Sequence, residues 1–303
     1  MGWIKRLIVI LLATALIGCG DETVPPVNVG EVSSEADPSA LVLIVHPYDT
    51  PSRIISRFQP LADYLQQQTG RQVKIEVALS YRDQIRRLAR NEADLAYIGP
   101  TPYLRAHDHY LKGAERNLQL IAAEVGGDKT GYHSVLVVRS GSEIRAVDDV
   151  RHHTVAFGSP HSFSSHYVPR VMLARAGIQL SDLKDYAFLR RHERVALAVL
   201  HGDFDMGGLR KAIAERYLDR GLRIVEESPS LPAHVIAAAP DFDTELAKRL
   251  REILISASED IAKDFQPFGQ PVRFIPVEDS DFSLARAVVR TVEDGCPQEA
   301  LPW

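Results

Sequence analysis

The sequence predicts an α/β protein of two lobes, each a mixed, mostly parallel sheet flanked by helices, joined by two hinge strands. Three observations predict it. Short apolar or alternating runs take turns with amphipathic helical runs along residues 41–239, the pattern of β-α units. A turn-rich stretch, Gly126-Gly127-Asp128-Lys129-Thr130-Gly131, interrupts that series, and the strand after it leads into a second set of units. A further strand-like run at 232–239 follows the second set and precedes a helical tail. Two crossings make the first lobe discontinuous, residues 41–131 and 235–303, around a second lobe of residues 132–234, with a cleft between them. A chain of 303 residues, 45% hydrophobic and 25% charged, has the length and composition for two cores of that size.

Ahead of the first lobe, Lys5-Arg6 precedes an apolar run at 7–16 that is too short to span a bilayer comfortably and is built like a secretory signal. It ends in Leu16-Ile17-Gly18-Cys19, which resembles a bacterial lipobox, so residues 1–18 are expected to be cleaved and Cys19 lipidated. Residues 19–40 are polar, carry Pro25-Pro26 and Ser33-Ser34, lack periodicity, and suit a flexible tether to the periplasmic side of a bacterial membrane. Cleavage removes Lys5 and Arg6 and no acid, taking the formal charge from −5 to −7. That acidic balance argues against nucleic acid as a partner. With Cys19 acylated, Cys296 has no intramolecular partner, and it is expected as an inert thiol on a loose tail.

The elements follow in order. Leu41-Val42-Leu43-Ile44-Val45 is continuously apolar, the mark of a strand buried on both faces. Ile54, Phe58, Leu61 and Leu65 are spaced four, three and four apart on one helical face, which Gly70 ends; Pro60 inside it predicts a kink or an early turn. Residues 73–77 alternate as a strand. Residues 81–91 predict a helix with Ile85 and Leu88 inward and Arg82, Arg86, Arg87 and Arg90 on a solvated face. Strands are predicted at 94–98, 118–123, 132–138 and 154–157, then a helix to about 176. A strand near 187–189, a helix from about 193, a short strand at 203–207, a helix at 209–217 and a strand at 222–225 complete the second lobe. Helices near 244–256, 259–265 and 283–292 make the tail.

Residues 158–169, Gly-Ser-Pro-His-Ser-Phe-Ser-Ser-His-Tyr-Val-Pro, form the most distinctive stretch. They join a predicted strand to a predicted helix and place the hydroxyls of Ser162, Ser164 and Ser165 where the helix starts. A helix start leaves N–H groups unpaired and carries partial positive charge, so it suits an anion. Taken alone, the three serines read first as a plain N-cap. Eleven histidines, among them His107, His109, His152, His153, His161 and His166, form no zinc motif, and they are expected as scattered surface residues. No Gly-x-Ser-x-Gly elbow, Walker loop or His-Glu-x-x-His occurs, so neither an enzyme nor a cofactor or metal is expected.

Four ordered pieces then resemble the phosphate/phosphite/phosphonate-binding proteins of ABC transporters. They are residues 92–99 (Glu-Ala-Asp-Leu-Ala-Tyr-Ile-Gly), residues 131–137 (Gly-Tyr-His-Ser-Val-Leu-Val), the serine loop with Pro169, and His192 followed by Ala196-Leu197-Ala198-Val199 and Asp203-Phe204-Asp205. The resemblance covers about residues 41–260. It implies a type II periplasmic-binding fold, a monomeric trap that closes on a small oxyanion and docks on an ABC permease. The alternatives are a sensing subunit for a membrane histidine kinase, a metal-binding protein and a hydrolase. Carried over residue by residue, the binders are Tyr81, Tyr132, Ser162, Ser164 and His192, with His192 adding charge if protonated. Phe163 stands where the family has Thr, and Ser165 where it has Gly, which puts an aromatic wall and an extra hydroxyl in the loop. The positions matching the family's amine-binding carboxylates are Ala212 and His234, which speaks against an aminophosphonate.

Overall fold

The computed structural model describes residues 40–126, 131–256, 261, 263–297 and 302–303. The expected signal segment, the lipidation site Cys19, nearly all of the tether, the middle of the 126–131 break and residues 259, 260 and 262 of the expected 259–265 helix lie outside these residues; 263–265, which are described, form a turn rather than a helix.

The chain opens with β1 (Leu41–Val45), α1 (Pro51–Thr69), β2 (Val73–Val77), α2 (Tyr81–Ala89), β3 (Leu95–Ile98), a short α3 (Pro100–Leu104) and β4 (Gln119–Gly126). It continues through β5 (Ser134–Arg139), β6 (Thr154–Phe157), α4 (Val168–Arg175), β7 (Asp185–Phe188), α5 (His192–His201), β8 (Met206–Arg210), a one-turn α6 (Lys211–Ala214) and β9 (Leu222–Glu227). It ends with β10 (Val235–Ala238), α7 (Thr244–Ser256), β11 (Val272–Ile275) and α8 (Ser283–Glu293). Among the described residues these strands form two sheets, ordered β11-β4-β10-β3-β1-β2 and β7-β6-β8-β5-β9.

The sheets are mixed rather than mostly parallel. Parallel pairing joins β1 to β2 and β3, and β6 to β7 and β8; the other five pairs are antiparallel. The strands beside the crossings return against the direction of the β-α units, which makes that half of each sheet antiparallel. β11 is an edge strand absent from the sequence expectation: its burial alternates, with Val272 and Phe274 inward. β8 also runs on to Arg210, where the hydrophobic pattern predicted a helix from 209.

Local chemistry explains the elements that position the site. In α1, Ile54, Phe58, Leu61 and Leu65 are fully buried, and the helix runs unbroken through Pro60 to a left-handed Gly70 whose N–H bonds Gln66 O at 2.8 Å. α2 starts on a reciprocal cap: Asp83 N–H donates to Ser80 Oγ, and Leu79 N–H donates to the Asp83 carboxylate, both at 3.1 Å. Within α2 the Gln84 amide donates to the carbonyls of Ile44 and Tyr97, at 3.2 and 2.8 Å, tying the helix to β1 and β3.

The two crossings run side by side, joined by an isolated antiparallel bridge between Tyr132 and Leu231. Leu231 N–H donates to Tyr132 O at 2.8 Å, and Tyr132 N–H to Leu231 O at 3.3 Å. Gly131 precedes this bridge with φ of +114°, and a Cβ there would lie 2.3 Å from Leu231 O, so no other residue fits. At Gly208 in β8 a Cβ would lie 2.5 Å from Pro169, and its lack lets the first turn of α4 press onto the sheet.

Cys296 is not on a loose tail. It is 1% exposed, Arg170 approaches its sulfur at 3.8 Å, and its carbonyl accepts from Gln179 at 3.1 Å. Burial raises its thiol pKa, which keeps it protonated and inert.

Candidate functional site

Between the sheets lies a largely closed cavity of about 10 Å³. That is far below the usual range for drug-sized ligands and about the room one water needs, so a ligand of several heavy atoms enters only as the walls move apart. His46 follows β1, Gly99 and Pro100 follow β3, Ser162 and Phe163 follow β6, and Arg210 ends β8. These are carboxyl ends of parallel strands, where side chains and helix starts of an open α/β sheet converge.

The first sheet contributes Tyr81 from the start of α2 and His46, whose ring stacks on Tyr97 and His234 at centroid distances of 5.9 and 5.4 Å. The second contributes the serine loop. Ser162 caps the segment 163–167, which is wound more widely than an α-helix and leads into α4. Its Oγ accepts from Ser165 N–H at 3.2 Å. The first N–H groups after a cap have no intrahelical acceptor, so they are donors held at the cavity wall. Tyr132 and His234 come from the two crossing segments.

Seven of the eight residues singled out from the sequence therefore line one cavity: Tyr81, Tyr132, Ser162, Phe163, Ser164, His192 and His234. Ser165 does not. Each step along this turn rotates the side chain to a different side, and Ser165 faces the sheet, where its hydroxyl donates to Gly208 O at 2.5 Å. Tyr97 and Tyr103 are engaged elsewhere: the Tyr97 hydroxyl donates to Glu124, and the Tyr103 hydroxyl to Asp279 at 2.8 Å.

The lining is rich in neutral donors. Burial raises the phenols of Tyr81 and Tyr132, so both stay protonated. Tyr132 Oη, beside Ser164, has no hydrogen-bond partner among the described residues. Burial lowers His46 to about 4 and His192 to about 3, with the Arg210 charge pushing the same way. His234 is driven well below its ordinary value, first by burial and then by Arg210. These imidazoles are neutral at pH 7, so His192 adds no charge; the expectation of scattered surface histidines fails for His46 and His166, which are buried. Arg210 N–H donates to His192 Nδ1 at 3.2 Å, which makes Nδ1 the acceptor and leaves the proton on Nε2. Arg210 Nη1 likewise donates to His234 Nδ1 at 3.1 Å.

Arg210 is the residue that the sequence reading missed. It reaches from the second sheet to the first, where Nη2 donates to Glu124 Oε1 at 2.9 Å. Its guanidinium lies between two rings, 4.2 Å from the Tyr132 centroid and 3.7 Å from that of Phe268. No periodic signal in the sequence marked it, since Met-Gly-Gly-Leu-Arg does not alternate apolar with polar and all five residues of β8 are buried. His46 and Phe268 were missed as well, since neither belongs to a motif.

Chemically, the cavity can hold an oxyanion and has little with which to transform one. His192 Nδ1 is occupied by a backbone N–H, the cavity lining contains no carboxylate, and Glu124 is spent on Arg210 and Tyr97.

The family described as the periplasmic substrate-binding protein of phosphonate ABC transporters matches residues 43–282. A phosphate-import protein, PhnD, of Mycolicibacterium smegmatis is 25% identical over 284 residues, covering 84% of this chain and 87% of its own. Among solved structures, PhnD1 of Prochlorococcus marinus in complex with methylphosphonate has a TM-score of 0.73 at 21% identity, covering 84% of this chain and 99% of that one. A binding component of a Pseudomonas aeruginosa phosphonate transporter has a TM-score of 0.71 at 22% identity, covering 82% and 85%. The two mixed, helix-flanked sheets are the two lobes of the type II periplasmic-binding fold.

Proposed function

The chain belongs to the periplasmic substrate-binding protein family of phosphonate ABC transporters, and we propose that it captures a small phosphonate- or phosphite-type oxyanion in the cavity between its lobes. The observation that carries this reading is a small enclosed cavity whose protonated hydroxyls and neutral imidazoles come from both sheets. Hydroxyl, N–H and neutral imidazole donors hold a tetrahedral oxyanion without a costly free cation. Contacts from both lobes favour the closed state, which is the differential affinity that ligand-driven closure requires. The closed trap then delivers its cargo to an ABC permease. The lipobox-like Cys19 tethers it to the membrane, with residues 41–131 and 235–303 as one lobe, 132–234 as the other, and the chain acting as a monomer.

The test is a thermal-shift series on the full chain purified in detergent, with phosphate, phosphite, methylphosphonate, aminoethylphosphonate and sulfate. A bound oxyanion at a hundredfold its Kd stabilises by about 2.7 kcal/mol. Ser162→Ala removes a hydrogen bond to a charged ligand worth about 1.5–3 kcal/mol, so binding should weaken roughly 10- to 100-fold. If none of the oxyanions raises the melting temperature, or Ser162→Ala binds as the parent does, the assignment is wrong.

A further inference from the structure

Beyond the inner cavity lies a second, outer pocket of about 200 Å³, open to solvent and lined by Lys211, Glu215, His133 and Gln270 among others. The residues common to the linings of both are Tyr132, Arg210 and Phe268. The wall between this inner cavity of about 10 Å³ and an outer space of about 200 Å³ is thus one layer of side chains. Its centre is the Arg210 guanidinium, held between the two rings at 4.2 and 3.7 Å from their centroids.

The plug is latched by two hydrogen bonds. Glu124 accepts from Nη2 at 2.9 Å, and His234 accepts from Nη1 at 3.1 Å. Tyr97 in turn donates to the second oxygen of Glu124, which fixes the carboxylate. Arg210 is 7% exposed and its Nε has no partner among the described residues, so this side chain is held by its tip and by ring stacking. Its charge is balanced by Glu124 within the same wall, so it adds little net attraction for an anion and acts chiefly through shape.

We propose that Arg210 is the size gate of the ligand site, closing the slot between Tyr132 and Phe268 so that only phosphorus oxyanions with no substituent, or a one-carbon one, are enclosed. The proposal rests on the reading of the inner cavity as an oxyanion site. A slot filled by a flat guanidinium has the thickness of a methylene chain or a phenyl ring. Emptying it lets the substituent of a longer alkyl- or arylphosphonate pass from the inner cavity into the outer pocket.

The experiment is calorimetric titration of the full chain in detergent with phosphite, phosphate, methylphosphonate, propylphosphonate and phenylphosphonate. Removing Arg210 alone would strand the buried Glu124 charge, so the variant is Arg210→Ala with Glu124→Gln, its folding checked by a cooperative melt. The parent is expected to bind propyl- and phenylphosphonate at least about tenfold more weakly than its best small ligand, the scale on which an overfilled pocket discriminates. The variant is expected to cut that gap at least about threefold. A smaller gap in the parent, or an unaltered gap in the folded variant, overturns the gate while leaving the oxyanion reading intact. If the double variant does not melt cooperatively, Phe268→Ala opens the other face of the same slot and is judged by the same gap. Failure of every small oxyanion to bind the parent overturns the site reading and the gate with it.

Discussion

Acidification should unfold this protein well before its carboxylates titrate, because its buried histidines are held neutral. Four imidazoles carry the effect: His46 and His166, each lowered to about 4, His192, lowered to about 3, and His234, lowered well below its ordinary value, all chiefly by burial. In the unfolded chain an imidazole takes a proton near pH 6.5. Between that pH and the lowered native value the unfolded state binds more protons, so stability falls as pH falls. Each such site contributes a slope of up to about 1.4 kcal/mol per pH unit, or about 2 kcal/mol between pH 7 and pH 5. Domains of ordinary stability have roughly 5–15 kcal/mol in total, so a few of these sites remove much of it. Carboxylates act later: the hydrogen bond from Arg87 lowers Glu76, and the N–H groups of Ala146 and Arg145 lower Asp149, so both lose their contribution below the ordinary carboxylate range.

The assay is urea unfolding followed by circular dichroism at pH 7, 6 and 5, at constant ionic strength. His192→Gln keeps an acceptor for the Arg210 N–H and removes one titrating group, so its slope should be shallower by up to about 1.4 kcal/mol per pH unit. A stability that is flat or rises toward pH 5, or a variant with the parent's slope, would refute the reasoning.

Two further outcomes are expected. Gly131→Ala places a Cβ 2.3 Å from Leu231 O at a φ of +114°; backbone strain of about 1–3 kcal/mol, before the clash is counted, should lower the melting temperature by several degrees in calorimetry. Cys19→Ala should move the expressed chain from the membrane to the soluble fraction of a Gram-negative host, and continued membrane association would remove the lipid from the reading.

Much of the fold was legible because the signals behind it are local. The apolar run of β1, the four-three-four spacing on α1 and the strand-loop-helix order around the serines depend on neighbours in the chain. The terminal strand β11 was not legible, since four residues at a sheet edge carry too short an alternation to separate from a loop. Reading a helix from 209 instead of a strand to 210 hid Arg210, because the turn of the chain decides which way that side chain points.

By itself, the sequence determined the β-α alternation, the two crossings and a loop whose hydroxyls suit an oxyanion. Only the tertiary structure decided that Ser165 faces the sheet, that the histidines are neutral, and that Arg210 meets Glu124 across 86 positions of chain. The reason is physical. Helical and strand periodicity act over a few residues, whereas burial, which sets proton affinity and forces a buried charge to find a partner, depends on segments that meet only when the two sheets close on each other.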